Sequence, residues 1–237
     1  MRGSTVLGLS FCMFLTAVPT TAQEATVGTV RTHIEGIEIP PIADAPFTAK
    51  VVVTWNKPLV GGGAVSRTYY TLVARDSQGR VRRETRGFVA ADSGEEPPLR
   101  SFTILDPVSS TRTTCTKASM SCASSAFDAN LMLTENAPGQ SNGNGEVLGG
   151  RTIEGLPTTG TRETLSKVEG PRGSSQLAIS RTDAWYSADL HIDLAVTRTD
   201  PQLGVVNLNV TELVRGEPGS TWFAIPSGYA VKGGSTQ

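Results

Sequence analysis

Few residues in this chain combine type and spacing in a way that does chemistry. His191-Ile192-Asp193 is the first candidate, since a carboxylate can orient an imidazole that acts as a base. Positions two apart on a strand point to one face, so His191 and Asp193 would share a side. A hydrolase built on them needs a nucleophile on a sharp turn, and no Gly-x-Ser-x-Gly occurs. The competing reading makes them a solvent-facing pair among Leu190, Ile192 and Leu194, which would form the inward face. Glu95-Glu96 and Asp183/Asp189 supply further carboxylates, read as solvated loop charge because paired-acid catalysis depends on separation in space. There is no His-Glu-x-x-His, no phosphate-binding glycine loop and no dinucleotide fingerprint. The chain is therefore read as a non-enzyme with no cofactor and no metal.

Arg75, Arg80, Arg82, Arg83 and Arg86 form the densest charge cluster. Arg80, Arg82, Glu84 and Arg86 would share a strand face. They read as a solvated surface that protects the sheet, or as a rim for anionic groups, because a guanidinium matches phosphate and carboxylate geometry. Trp185-Tyr186 and Trp222-Phe223 are aromatic pairs that either stack on a ligand or anchor the core and tail. Asn209-Val210-Thr211 matches a glycosylation sequon, which a buried strand would hide. Cys115 and Cys122 remain once Cys12 is set aside, and an even pair in an oxidising compartment is expected to bond. Such a hairpin disulfide stabilises by roughly 2–3 kcal/mol.

The compartment is read from residues 1–22. Arg2, an apolar run over Val6–Val18, Pro19 and the small residues Thr20-Thr21-Ala22 match a secretory signal cut at Ala22/Gln23. The run is too short to span a membrane. Cys12 follows Phe11, too large for a lipoprotein cleavage site, so no lipid anchor is expected. A periplasmic or secreted chain follows, with no membrane-spanning segment. The net charge is −1 over 237 residues, which argues against a nucleic-acid partner.

These side chains must be positioned by strands. Residues 23–46 read as an extended N-terminal arm, because Pro40-Pro41 and Pro46 exclude a central strand or a helix. In 47–55, Phe47, Ala49, Val51, Val53 and Trp55 alternate with Thr48, Lys50, Val52 and Thr54, the period of a half-buried strand. Strands are further expected over 68–74, 80–85, 100–105, the cysteine hairpin around Lys117–Ser119, 151–154, 160–168, 176–184, 191–197 and 205–213. Turn signals at Gly61-Gly62-Gly63, Asp76-Ser77-Gln78-Gly79, Asp106-Pro107, Gly155, Gly170-Pro171, Asp200-Pro201 and Gly216 separate them. Residues 89–98 read as a polar loop and 135–150 as a flexible one too polar to pack. Residues 126–133 suggest a weak helical turn, and 222–229 a tail that packs aromatics onto the sheet. The expected fold is all-β: an antiparallel meander of roughly nine to eleven strands forming a strongly curved sheet or open half-barrel, with little helix, in a single domain over 47–237.

Several phrases, in order, carry a resemblance. They are Ala74-Arg75-Asp76-Ser77-Gln78-Gly79-Arg80-Val81-Arg82-Arg83-Glu84, Asp106-Pro107, Ile153-Glu154-Gly155, Trp185-Tyr186-Ser187-Ala188-Asp189-Leu190, Arg198-Thr199-Asp200-Pro201 and Ile225-Pro226-Ser227-Gly228-Tyr229. Over roughly 46–231 the chain resembles an uncharacterised family of exported bacterial β-rich proteins. Its architecture is similar to the outer-membrane lipoprotein carrier group and related periplasmic stress regulators. The resemblance implies a curved sheet holding an acyl chain or lipoprotein segment, and it transfers no catalytic motif. Val51, Val53, Trp55, Tyr69, Leu72 and Trp185 are the candidate pocket residues. The partner is then a lipid or lipoprotein. The alternative is a structural or interaction module of the cell envelope that contacts a protein.

Overall fold

The computed structural model describes residues 37–129, 145–169 and 176–232. The expected signal at 1–22, the arm up to residue 36 with His33, residues 130–144 of the helical turn and polar loop, and the Gly170-Pro171 turn lie outside them. His33–Gln237 forms one compact unit.

Its strands are β1 (Phe47–Pro58), β2 (Ala64–Arg75), β3 (Val81–Arg86), β4 (Val89–Ala90), β5 (Leu99–Asp106), β6 (Thr111–Thr116), β7 (Ser121–Ala126), β8 (Glu146–Ile153), β9 (Leu156–Glu169), β10 (Gln176–Ser187), β11 (Ile192–Asp200), β12 (Gly204–Arg215) and β13 (Ala230–Lys232). One short 3-10 helix, Ser220–Phe223, precedes β13. All belong to one 13-stranded sheet ordered β13-β7-β6-β5-β3-β2-β1-β12-β11-β10-β9-β8, with β4 paired to β2. The pairings are antiparallel except for β13 beside β7. The strand count exceeds the expected nine to eleven because β4 and β13 are too short to register as patterns.

β1 lies in the middle of the sheet, between β2 and β12. Two meanders run outward from it to separate edges, β8 and β13. The sheet is open and curved. Arg75 at the end of β2 reaches the carbonyl of Leu190 at 2.7 Å. Leu190 precedes β11, which stands three strands from β2, about 14 Å in a flat sheet. A side chain spans that distance only if the sheet bends toward it.

Opposed residues share a face. On the concave face Phe47, Ala49, Val51 and Val53 stand beside Val73 and Tyr69 of β2, and Leu208 and Val210 of β12. With Ile37, Ile39, Val81, Leu105 and Leu194 they form the principal core. The described part of the arm, 37–46, contributes Ile37 and Ile39 without forming a strand. The convex face holds a second core of Phe102, Ile104, Cys115 and Cys122, closed by Phe223, Ile225 and Tyr229 of the tail. The tail packs aromatics as its composition suggests. Cys115 and Cys122 sit opposite each other on β6 and β7 and are disulfide-bonded.

One expected loop is partly strand. Residues 146–150 pair with β9 as the start of β8, although the 135–150 stretch as a whole carries little apolar content. Backbone hydrogen bonds to a neighbouring strand do not require it. A register shift between Val147 and Gly149 is absorbed by Gly149 at φ +94°.

Candidate functional site

The six candidate pocket residues do not share one site. Val51, Val53, Trp55 and Tyr69 lie on the concave face. Leu72 pairs with Lys50 and so lies on the convex face. Trp185 follows the same face as Leu72, through the row Trp185–Ala195–Asn209–Val52. The Trp185 ring rests against Gly160, where an added Cβ would come within 2.7 Å of it. Arg151 stacks over the same ring with its guanidinium carbon 3.9 Å from the centroid, so this tryptophan is occupied by the protein itself.

The concave face is closed at one end and open at the other. Val51, Val53 and Tyr69 are buried by neighbouring side chains of the chain. Further along the strands, Trp55, Phe88 and Val196 are only partly buried against the core. Phe88 meets Tyr69 edge-on at 4.5 Å and lies 6.2 Å from Trp55. Trp55 Nε1 donates to the carbonyl of Leu203 at 2.5 Å, fixing the indole plane.

Register places two cations beside this margin. Arg67, Trp55, Val206 and Arg198 follow one another across β2, β1, β12 and β11 on the same face. Arg198 Nε is buried and has no hydrogen-bond partner among the described residues. Burial pushes the Asp200 carboxyl up, but hydrogen bonds from Leu203, Ser180 and Gln202, with the Arg198 charge a smaller addition, hold it below the usual range. The row thus offers an apolar floor with a guanidinium at each side, about 14 Å apart before curvature narrows the gap.

The other chemical candidates resolve differently. His191 lies outside any strand, in a turn at φ +54°, and its Nδ1 is 3.2 Å from the Tyr186 hydroxyl. The expected strand spacing with Asp193 therefore fails. Asp193 is not solvent-facing either. It sits opposite Tyr186, at a register shift that leaves Leu194 without a β10 partner. Burial pushes its carboxyl up to about 6. Tyr186 is raised by burial and by Asp193, against an opposing effect of Arg75. A raised carboxyl is penalised when charged, so the penalty is present above pH 6 and relieved as pH falls through 6 toward the unfolded value. Asp193→Asn is expected to raise stability by about 1–3 kcal/mol at pH 8 and by about half as much at pH 5. Thermal melts at both values measure this. Equal effects at the two would contradict it.

Arg80, Arg82 and Arg86 of the arginine cluster are paired rather than solvated. Arg80 binds Asp76 at 2.5 Å. Arg82 donates to the Trp222 carbonyl and lies over the Phe102 ring. Arg86 bridges Glu84 and Glu96 and stacks on Tyr70. Glu84 is buried. The chain's own carboxylates, carbonyls and rings occupy these guanidinium groups. Leu72, Arg82, Glu84, Thr221, Trp222 and Pro226 line a wide, shallow cleft of about 220 Å³ under the tail. Arg75 is absent from this face. It is fully buried on the concave side, a role that local sequence does not signal. Asn209 is exposed on β12, so the strand does not hide the sequon.

Among the described residues no group of three His, Cys, Asp or Glu could hold a metal ion, and no helix is long and apolar enough to cross a membrane. By fold the protein belongs to the class of open, curved all-β sheets, here with an apolar, arginine-flanked margin.

No protein-family model matches the chain, and no curated protein matches it. Its structure is similar to a chain of the MucA/MucB complex of Pseudomonas aeruginosa, with TM-score 0.42 and 12% identity. That match covers 78% of this chain and 57% of the other, so the chain spans a little over half of that relative's length. It is also similar to LprF from Mycobacterium bovis, with TM-score 0.31 and 15% identity over 78% of this chain and 90% of that one. A third likeness is to a putative outer membrane lipoprotein-sorting protein domain from Vibrio parahaemolyticus, with TM-score 0.28 and 9% identity over 75% and 88%. These likenesses concern the fold alone.

Proposed function

We propose that the chain is a non-catalytic binding module of the cell envelope that holds an amphiphile, a lipid or a lipoprotein's acylated segment. The apolar part lies on Trp55, Phe88 and Val196. An anionic head is held between Arg67 and Arg198. The observation that carries this reading is the buried Arg198 Nε without a partner, beside a half-buried tryptophan. A buried donor left unsatisfied costs about 1–3 kcal/mol, which an anionic ligand oxygen would relieve. The disulfide fits an exported protein.

Native mass spectrometry of the chain, purified without detergent and then titrated with a lysophosphatidic acid, tests the reading. An adduct of lipid mass is expected. Trp55→Glu should abolish it, and Arg198→Leu should weaken it at least about tenfold. A mass unchanged by added lipid, or full binding by a folded Trp55→Glu variant, would sink the proposal. The filled concave face at Val51, Val53 and Tyr69 favours a second reading, an envelope protein-interaction module with no small-molecule site. Partner capture on the immobilised chain, with no lipid adduct, would select it.

A further inference from the structure

We propose that the tip of the β1–β2 hairpin docks this protein on a lipid bilayer surface. The proposal concerns a different surface from the amphiphile site. Hairpin tips ordinarily carry Gly, Asn or Asp, but this one presents Leu59 and Val60, which are 48% and 108% exposed. The tip is ordered. Leu59 N–H donates to the Gly63 carbonyl at 3.1 Å and Gly62 N–H to the Leu59 carbonyl at 3.2 Å. These two bonds turn Val60 outward and satisfy backbone groups that a bilayer would leave without water. Gly61, Gly62 and Gly63 all have positive φ, and a Cβ built on any of them meets nothing within 4 Å. The apex is therefore slim and carries no polar side chain.

The charge around it fits a bilayer. From Trp55 to Arg67 the hairpin carries Lys57 and Arg67 and no carboxylate. Asp92 follows Ala91, whose N–H bonds the Ser66 carbonyl at 3.3 Å, in the third pair from the tip, so one carboxylate stands beside the cations, behind the apolar apex. An apolar point with cations behind it inserts into the acyl boundary while the cations meet anionic headgroups. A folded protein is a poorer occupant. A stable protein interface needs about 800 Å² per partner with a packed centre, and two side chains on a narrow turn supply neither. The same hairpin carries Trp55 and Arg67, so a docked tip would bring the open margin of the concave face to the membrane.

The test is co-sedimentation of the full chain with phosphatidylcholine vesicles, with and without phosphatidylglycerol. Wild type is expected to sediment, more strongly with the anionic lipid. Leu59→Asp/Val60→Asp should lower the partition coefficient at least about tenfold, since each side chain loses its transfer from water. Lys57→Gln should lower it on anionic vesicles only. Both variants should keep a melting temperature close to wild type, since Leu59 and Val60 are exposed and Lys57 is only half-buried. Both should also keep lysophosphatidic acid binding by mass spectrometry, which separates failure of docking from failure of the binding site. Wild type that stays in the supernatant, or a double variant that sediments as wild type does, overturns the proposal.

Discussion

Arg75→Met is expected to destabilise the protein by about 2–4 kcal/mol and to loosen the arm at 37–46. Arg75 is 0% exposed and has no carboxylate partner among the described residues. It donates to the carbonyls of Ala45 at 2.9 Å, Pro40 at 3.1 Å and Leu190 at 2.7 Å, and it stacks on Phe47. The neighbouring Asp76 cannot pair with it, because Asp76 accepts from the amides of Gln78 and Arg80 and from the Arg80 side chain. Two effects oppose each other. Burial lowers the guanidinium to about 10, a penalty on the charged form that methionine removes, worth about 3 kcal/mol. Methionine also leaves the Ala45 and Leu190 carbonyls without the Arg75 donor, at about 1–3 kcal/mol each, while Pro40 keeps the Ile42 N–H, and it loses the contact with the Phe47 ring. The second effect is larger. The melting temperature should fall by about 5–15 °C, and limited proteolysis should cut near Pro40–Ala45 before the sheet. A variant as stable as wild type, with an uncut arm, would show that Arg75 is not the latch.

Gly204→Ala is expected to cost more than about 3 kcal/mol and to weaken amphiphile binding at the same time. Gly204 opens β12 at φ +85°, and a Cβ there would lie 2.2 Å from the Asn56 carbonyl oxygen and 2.9 Å from Lys57 Cα. Both are backbone atoms of the central strand, so nothing flexible can give way. The alanine pays left-handed strain of about 1–2 kcal/mol and must also push β12 from β1. That movement breaks the Trp55–Leu203 hydrogen bond and frees the indole at the site. Gly61→Ala is the control. It has φ +97° with nothing within 4 Å, so it carries strain alone, about 1–2 kcal/mol. Chemical denaturation of both variants, with lipid titration, compares them. Equal losses would mean that the close approach to β1 contributes nothing.

The period-2 pattern from Phe47 to Trp55 was enough to place that strand and its buried side, because burial on one face forces alternation. Turn residues at 76–79 and 200–201 marked chain reversals for the same local reason. The cysteine pair was legible from compartment logic and count. The error at Leu72 was also legible: Tyr69 and Leu72 are three apart on one strand and must face opposite ways. Residues 146–150 were hidden because the segment is held mainly by backbone pairing with β9, which leaves little side-chain signature. His191 was misplaced because a left-handed turn residue ends the loop before β11 and breaks the expected alternation.

What the sequence determined by itself is local: strands, reversals, the disulfide and the all-β class, each set by neighbours a few residues away. The tertiary structure decided everything that depends on which strands meet. β1 became central because β12, some 150 residues later, pairs with it. That pairing set Trp55 between Arg67 and Arg198, which no spacing along the chain relates. Arg75 became a buried latch rather than a surface charge because curvature brought Leu190 within its reach. Alternation fixes which side chains share a face of one strand; only the register between distant strands fixes which of them share a site.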